Sequence, residues 1–125
     1  MRYVKISYWA TTALVSLMMV YSSIVYFIDS DLKQAFLHLG LPDYFRIELS
    51  IAKLLGVALL LLPVYGWLKE WAYAGFFIVF ISAIIAHTAS GDPLMVRMMP
   101  LIFLFLLLIS YFCYRLLHYS PPADV

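Results

Sequence analysis

The sequence predicts an all-α integral membrane protein: an antiparallel bundle of four transmembrane helices with one short interfacial helix after the first span. Three observations predict it. Hydrophobic residues make up 66% of the 125 positions and charged ones only 12%, whereas a soluble domain is closer to half apolar and a quarter charged. The apolar residues gather into four stretches, each near the roughly 20 residues that cross a bilayer core. The connections between them are short and carry turn residues, as in Gly40-Leu41-Pro42 and Ser90-Gly91-Asp92-Pro93, which implies up-down-up-down neighbours. Four such stretches leave nothing over for a second domain, so residues 1–125 read as one.

The first span runs from about Tyr8 to Ile28. Arg2 and Lys5 ahead of it imitate a secretory signal. The apolar run is too long for a signal core, however, and no small-x-small cleavage pattern follows, so a retained span is expected. Thr11, Thr12, Ser16, Ser22 and Ser23 suit close helix–helix contact. Tyr8 and Trp9 at one end, with Tyr26 and Phe27 at the other, read as interfacial aromatics. A short segment from Leu32 to Leu39 follows, capped by Ser30 or Asp31, with Leu32, Ala35, Phe36 and Leu39 at helical spacing. It is too short to span and should lie along the interface.

The second span starts at Asp43 or Tyr44 and stops at Leu62, before Pro63. It carries Arg46, Glu48 and Lys53. Each Leu or Ile gains roughly 0.5 kcal/mol in the bilayer and a central Lys costs about 3. About ten apolar residues thus supply ~5 kcal/mol, most of which the charges remove. Such a helix must turn its charged side toward other helices. After the Val64–Leu68 connection, the third span begins at Lys69-Glu70-Trp71, runs to about Ala89, and includes Gly75, Ser82 and His87. The fourth, about Leu94 to Leu117, has Arg97 near its start, Pro100 one turn later, and otherwise mostly Leu, Ile and Phe.

A net charge of +1 without a basic run excludes nucleic acid as a partner. Cys113, the single cysteine, excludes an internal disulfide or a CxxC pair and reads as inert packing. Arg2, Lys5, Lys69 and Arg115 fall on one side of the membrane, against Lys33, Arg46 and Arg97 on the other, which puts both termini in the cytoplasm. Asp29, Asp31, Asp43, Glu48 and Asp92 share the second side with His38 and His87. Polar chemistry therefore concentrates at one mouth of the bundle.

Helix rise places Glu48 roughly 8 Å and Lys53 roughly 15 Å inside that mouth, with His87 and Arg97 about 4–5 Å in and Tyr26 at a similar level. Lys53, Glu48, His87, Arg97 and Tyr26 are the candidate ligand-binding residues, entering one pocket from four helices. Arg46, Lys53 and Gly56 share one stripe, a close inner seam; Glu48 is rotated about 140° from Lys53 and leans toward a flanking helix. Each residue also has a structural reading. Glu48 can pair with Arg46, Lys53 or Arg97, His87 can cap its helix end, Arg97 can meet an acid or a headgroup, and Asp92 can serve the turn before Pro93. No HxxxH, HExxH or CxxC spacing is present, and nothing supports Glu48, His87 and Asp92 as a metal set, so no metal is expected. Catalytic triads and phosphate-binding glycine loops are absent, and no GxxxG seam selects a homo-oligomer, which stays open.

Several segments resemble the DoxX-like family of small four-helix membrane proteins: Phe36 to Tyr44, Lys53-Leu54-Leu55-Gly56, Leu60 to Pro63, Leu68 to Phe76, then His87 and Gly91-Asp92. The resemblance implies a protein of the bacterial cytoplasmic membrane. Better understood relatives are small subunits of thiosulfate:quinone oxidoreductase assemblies, others accompany sulfur-transfer or oxidative-stress enzymes, and distant eukaryotic ones are assembly chaperones or cargo receptors. Lys53, Gly56, Glu70, Trp71, Gly75 and His87 fall on the family pattern, which brings no settled catalytic role with it.

The functional expectation is a membrane subunit, embedded in lipid, that binds a quinone or similar amphipathic molecule. Lys53 and His87 would bond or protonate a quinone oxygen and Glu48 would relay the proton. No haem, flavin or iron–sulfur motif is present. The chain is then at most a quinone-linked oxidoreductase subunit, and a redox or sulfur-metabolism partner protein supplies the electrons. The alternative is a non-enzymatic chaperone or assembly protein that docks other membrane helices.

Overall fold

The computed structural model describes residues 2–63 and 66–118. Among these there are five helices and no strand: α1 (Arg2–Ile28), α2 (Ser30–His38), α3 (Asp43–Leu61), α4 (Trp67–Ala89) and α5 (Leu94–His118). α1 packs on α3 and α5, and α4 packs on the same two, so the four long helices close a square; α2 lies against α3 and α1. Neighbours are antiparallel. Ser22 late in α1 meets Lys53 of α3, Gly56 of α3 meets Phe76 of α4, and Arg115 late in α5 meets Glu70 early in α4.

α1, α4 and α5 are long and apolar enough to cross a membrane. α3, with 19 residues that include Asp43, Arg46, Glu48 and Lys53, is not among them. The distribution of polarity is that of a membrane protein. Leu17, Ile78, Phe105 and Phe112 face outward, while Thr12, Ser23, Ser50 and Ser110 are fully buried. In hydrocarbon, apolar side chains lose nothing by facing outward, and hydroxyls hold helices together within. Thr12 Oγ1 lies 2.6 Å from Ser110 Oγ, and Tyr73 Oη lies 2.7 Å from the same oxygen. One α5 serine thereby ties α1 to α4 across the diagonal of the square.

Several expectations about the elements change. α1 starts at Arg2 rather than Tyr8, because nothing in that stretch breaks a helix; its 27 residues extend about 40 Å, more than a bilayer core needs. Tyr8 and Tyr26 turn inward, and only Trp9 and Phe27 stay outside. The cap of α2 is Asp29, not Ser30 or Asp31: its carboxylate accepts the Asp31 backbone N–H at 2.9 Å. Trp67 and Leu68, expected in a connection, already belong to α4, and Val64 and Tyr65 lie outside the described residues.

Two glycines fix how the chain turns at the polar mouth. Gly40 and Gly91 have φ of 79° and 73°, a region L side chains avoid. Each stands just past a helix end in a Schellman arrangement. After α4, Gly91 N–H donates to the Thr88 carbonyl at 3.2 Å and Asp92 N–H to the His87 carbonyl at 3.0 Å. After α2, Gly40 N–H donates to Leu37 at 3.0 Å and Leu41 N–H to Phe36 at 2.8 Å.

The close seam expected at Gly56 is present: a Cβ there would lie 2.6 Å from Cζ of the buried Phe76 ring. Overpacking costs about 1–3 kcal/mol, of which helix propensity returns about 1. Gly56→Ala should therefore lose up to about 2 kcal/mol in thermal unfolding of the detergent-solubilised protein, and adding Phe76→Leu should recover part. An undiminished melting temperature in the single variant would show that the ring yields freely.

Candidate functional site

Ser50, Lys53, Val57 and Leu60 form the buried stripe of α3. Opposite it, Ser22 and Tyr26 stand one turn apart on α1. Lys53 is 4% exposed. Its Nζ donates to Ser22 Oγ at 2.8 Å and lies 3.8 Å from the centre of the Tyr26 ring, close enough for a cation–π contact worth about 2 kcal/mol when desolvated. Among the described residues no carboxylate forms an ion pair with this ammonium. Phe36 of α2 packs edge-on against Tyr26, with centroids 5.1 Å apart, and Phe45 lies 6.5 Å beyond. An aromatic group thus roofs the buried cation.

The other buried or half-buried basic residues are engaged differently. Arg46 Nη1 donates to the Tyr26 carbonyl in the last turn of α1, while its Nε donates to Asp43 at 3.0 Å. Lys69 donates to the Leu60 and Leu62 carbonyls, at 2.8 and 3.0 Å, where α3 ends. Arg97 Nε donates to the Asp92 carbonyl at 2.7 Å, beyond the end of α4. Arg46 and Lys69 satisfy carbonyls that a helix end leaves open and sit at the negative end of its dipole, whereas Arg97 bonds a carbonyl of the α4–α5 turn. Lys53 satisfies none.

A second group forms where α2 meets the turn between α4 and α5. Asp92 Oδ2 accepts from His87 Nδ1 at 2.6 Å, and Oδ1 accepts from His38 Nε2 at 3.0 Å. An ionised carboxylate only accepts, so both facing ring nitrogens carry a proton. The hydrogen bond from His87, and then that from His38, hold the Asp92 carboxyl below the ordinary carboxylate range.

The structure therefore divides the five candidates. Lys53 and Tyr26 meet each other; His87 and Arg97 meet at Asp92. Glu48 joins neither: it is exposed and makes no ion pair among the described residues, because its rotation from Lys53 turns it out of the bundle. The single pocket expected from four helices is thus two separate polar groups, with no hydrogen bond between them among the described residues. His38, Asp92 and Ser22 complete these groups and were not among the candidates. For Asp92 a signal existed, since a glycine after a helix folds the next residue back over the third from the end, here His87. Among the described residues no cluster of three His, Cys, Asp or Glu could hold a metal ion.

Two cavities lie elsewhere. One of about 190 Å³ is a groove between α4 and α5, lined by Glu70, Tyr73, Phe77, Leu107 and Tyr111 among others. The other, about 380 Å³, opens at the opposite end of the bundle and takes its walls from all four long helices. The sequence model of the DoxX-like family matches residues 10–110, from the first turns of α1 to within the last third of α5. The chain belongs to the DoxX-like family. No curated protein and no solved structure matches it. In this DoxX-like chain the matched stretch contains Lys53, His87, Asp92 and every partner named for them above.

A carboxyl with a depressed folded pKa stabilises above its unfolded value, 3.8 for Asp92, and loses that contribution as pH falls through the lower folded value. Acidification below pH 3.8 should therefore loosen α2 from the α4–α5 turn, and Asp92→Asn should do so at neutral pH. Faster amide exchange across Ser30–His38, with α4 unchanged, is the expected readout. Protection of α2 that is unaltered by the substitution would refute the tie.

Proposed function

We propose that the protein crosses the bacterial cytoplasmic membrane four times, with both termini in the cytoplasm, and binds the oxygen-bearing head of a quinone-class amphiphile at Lys53. What carries this reading is the ammonium of Lys53: buried, held by the Ser22 hydroxyl and by Tyr26, and without a carbonyl or carboxylate partner among the described residues. An ammonium has three donors, and a desolvated donor left unpaired is costly. A quinone carbonyl would accept from it, and the Tyr26, Phe36 and Phe45 rings offer flat apolar surface beside it. α3 serves as the fourth span because Arg46 and Lys53 turn toward its neighbours, while Glu48 stays near the helix start, within reach of the interface.

Glu48 has no part in this version and His87 engages Asp92, so the proton relay expected of Glu48 and the quinone bond expected of His87 are set aside. Electrons come from a redox or sulfur-metabolism partner protein, and residues 1–125 act as one membrane subunit, alone or as a homo-oligomer. The competing reading is a chaperone or assembly factor whose Lys53 catches polar groups on client helices.

Hydrogen bonds to charged groups contribute about 1.5–3 kcal/mol. Lys53→Met should weaken binding of a short-chain quinone to the reconstituted protein by about tenfold or more, with helix content and melting behaviour checked in parallel. Affinity equal to that of the unaltered chain would defeat the quinone reading. Purification with a stoichiometric protein client and no small ligand would favour the assembly reading instead.

A further inference from the structure

The end of the bundle remote from Lys53 has a different character. Its cavity of about 380 Å³ is lined by Lys5, Tyr8 and Trp9 of α1, by Leu61, Leu62 and Pro63 at the end of α3, by Lys69, and by Leu117 and His118 of α5. Among the described residues the lining includes two lysines and a histidine but no carboxylate. Glu70, the nearest acid in sequence, lines the other groove and pairs with Arg115 at 3.1 Å. The carbonyls at the end of α3 would repel an anion, but Lys69, 2% exposed, donates to two of them. The charged side chains that the described residues bring to the cavity are therefore lysines.

The level of the cavity in the membrane can also be read. The chain has three tryptophans, Trp9, Trp67 and Trp71, and all stand at this end with 48%, 62% and 65% exposure. Exposed tryptophans mark the headgroup layer. α1 is longer than a bilayer core requires, so its first turns, with Lys5, project into that layer. We propose that this cavity is a binding site for the anionic phosphate headgroup of a membrane lipid. Lys5 reaches the phosphate from the rim, Lys69 supplies fixed charge at the floor, and the edge-packed Tyr8–Trp9 pair, 5.1 Å between centroids, forms the wall toward the acyl chains. The site is independent of the Lys53 reading, since it shares no residue with it.

Native mass spectrometry of the full chain, released from mixed micelles holding equal phosphatidylglycerol and phosphatidylcholine, tests the proposal. The unaltered protein should retain phosphatidylglycerol with about fivefold preference, and Lys5→Gln with His118→Gln should bring the two lipids to parity. Lys69 is left intact because its loss would open the end of α3. Lys33→Gln, an exposed charge at the other mouth, should change nothing. Equal retention by the unaltered protein, or a preference that survives the double substitution, would overturn the site. Displacement of the lipid by millimolar inorganic phosphate would overturn the lipid as occupant and leave free phosphate in its place.

Discussion

A basic side chain laid over the open carbonyls of a helix end is the interaction on which the architecture depends. Hydrocarbon offers no water to those carbonyls, so each helix that stops must be completed from within. Here the completion comes from the next long helix: Arg46 of α3 closes α1, Lys69 of α4 closes α3, and Arg97 of α5 bonds the turn that ends α4. Each contact joins one long helix to the next one along the chain. Charges that look prohibitive when counted along the sequence thus act as clasps between antiparallel neighbours. The same rule sets Lys53 apart, since it lies between α1 and α3 where no helix ends.

Around Lys53 the structure provides shelter rather than neutralisation. An ion pair would lower the cost of the charge more than a hydroxyl and a ring do, and acids are plentiful at that mouth. They are directed elsewhere. Asp43 goes to Arg46, Asp92 to the two histidines, and Asp29 to the cap of α2. α2 joins the two polar groups: Phe36 rests edge-on against Tyr26, the ring beside the ammonium, and His38 reaches Asp92. The short helix consequently links that ring to the α4–α5 turn.

How much of this was legible follows from which periodicities carry information. Helix boundaries at Asp43, Ala89 and Leu94 came from proline, glycine and capping residues, which act locally and so are readable. The stripe joining Arg46, Lys53 and Gly56 was readable because helix geometry alone sets it. Which neighbour a stripe faces is not. Tyr8 and Tyr26 have the composition of interfacial anchors, yet the packing of α1 between α3 and α5 turns both inward. The rotation of Glu48 from Lys53 was readable in the same way, but whether it led to a flanking helix or out of the bundle was not, and Glu48 is exposed. The position of the larger cavity was hidden for a related reason. Polar residues were taken to mark the hollow mouth, whereas in this bundle polar pairs fill their mouth and the hollow lies where charges of one sign remain.

The two ends therefore differ in kind. At one, Asp43 is matched to Arg46 and Asp92 to His38 and His87, while Lys53 keeps a hydroxyl and a ring in place of a carboxylate. At the other, all four long helices line a cavity with Lys5, Lys69 and His118, at the level of three exposed tryptophans. Toward the tryptophan end the Thr12–Ser110–Tyr73 node clamps the square with hydroxyls, which keep their hydrogen bonds in hydrocarbon without a charge to neutralise. The clamp and the Lys53 group thus hold the bundle at different levels and through different chemistry, hydroxyl to hydroxyl at one and ammonium to hydroxyl and ring at the other.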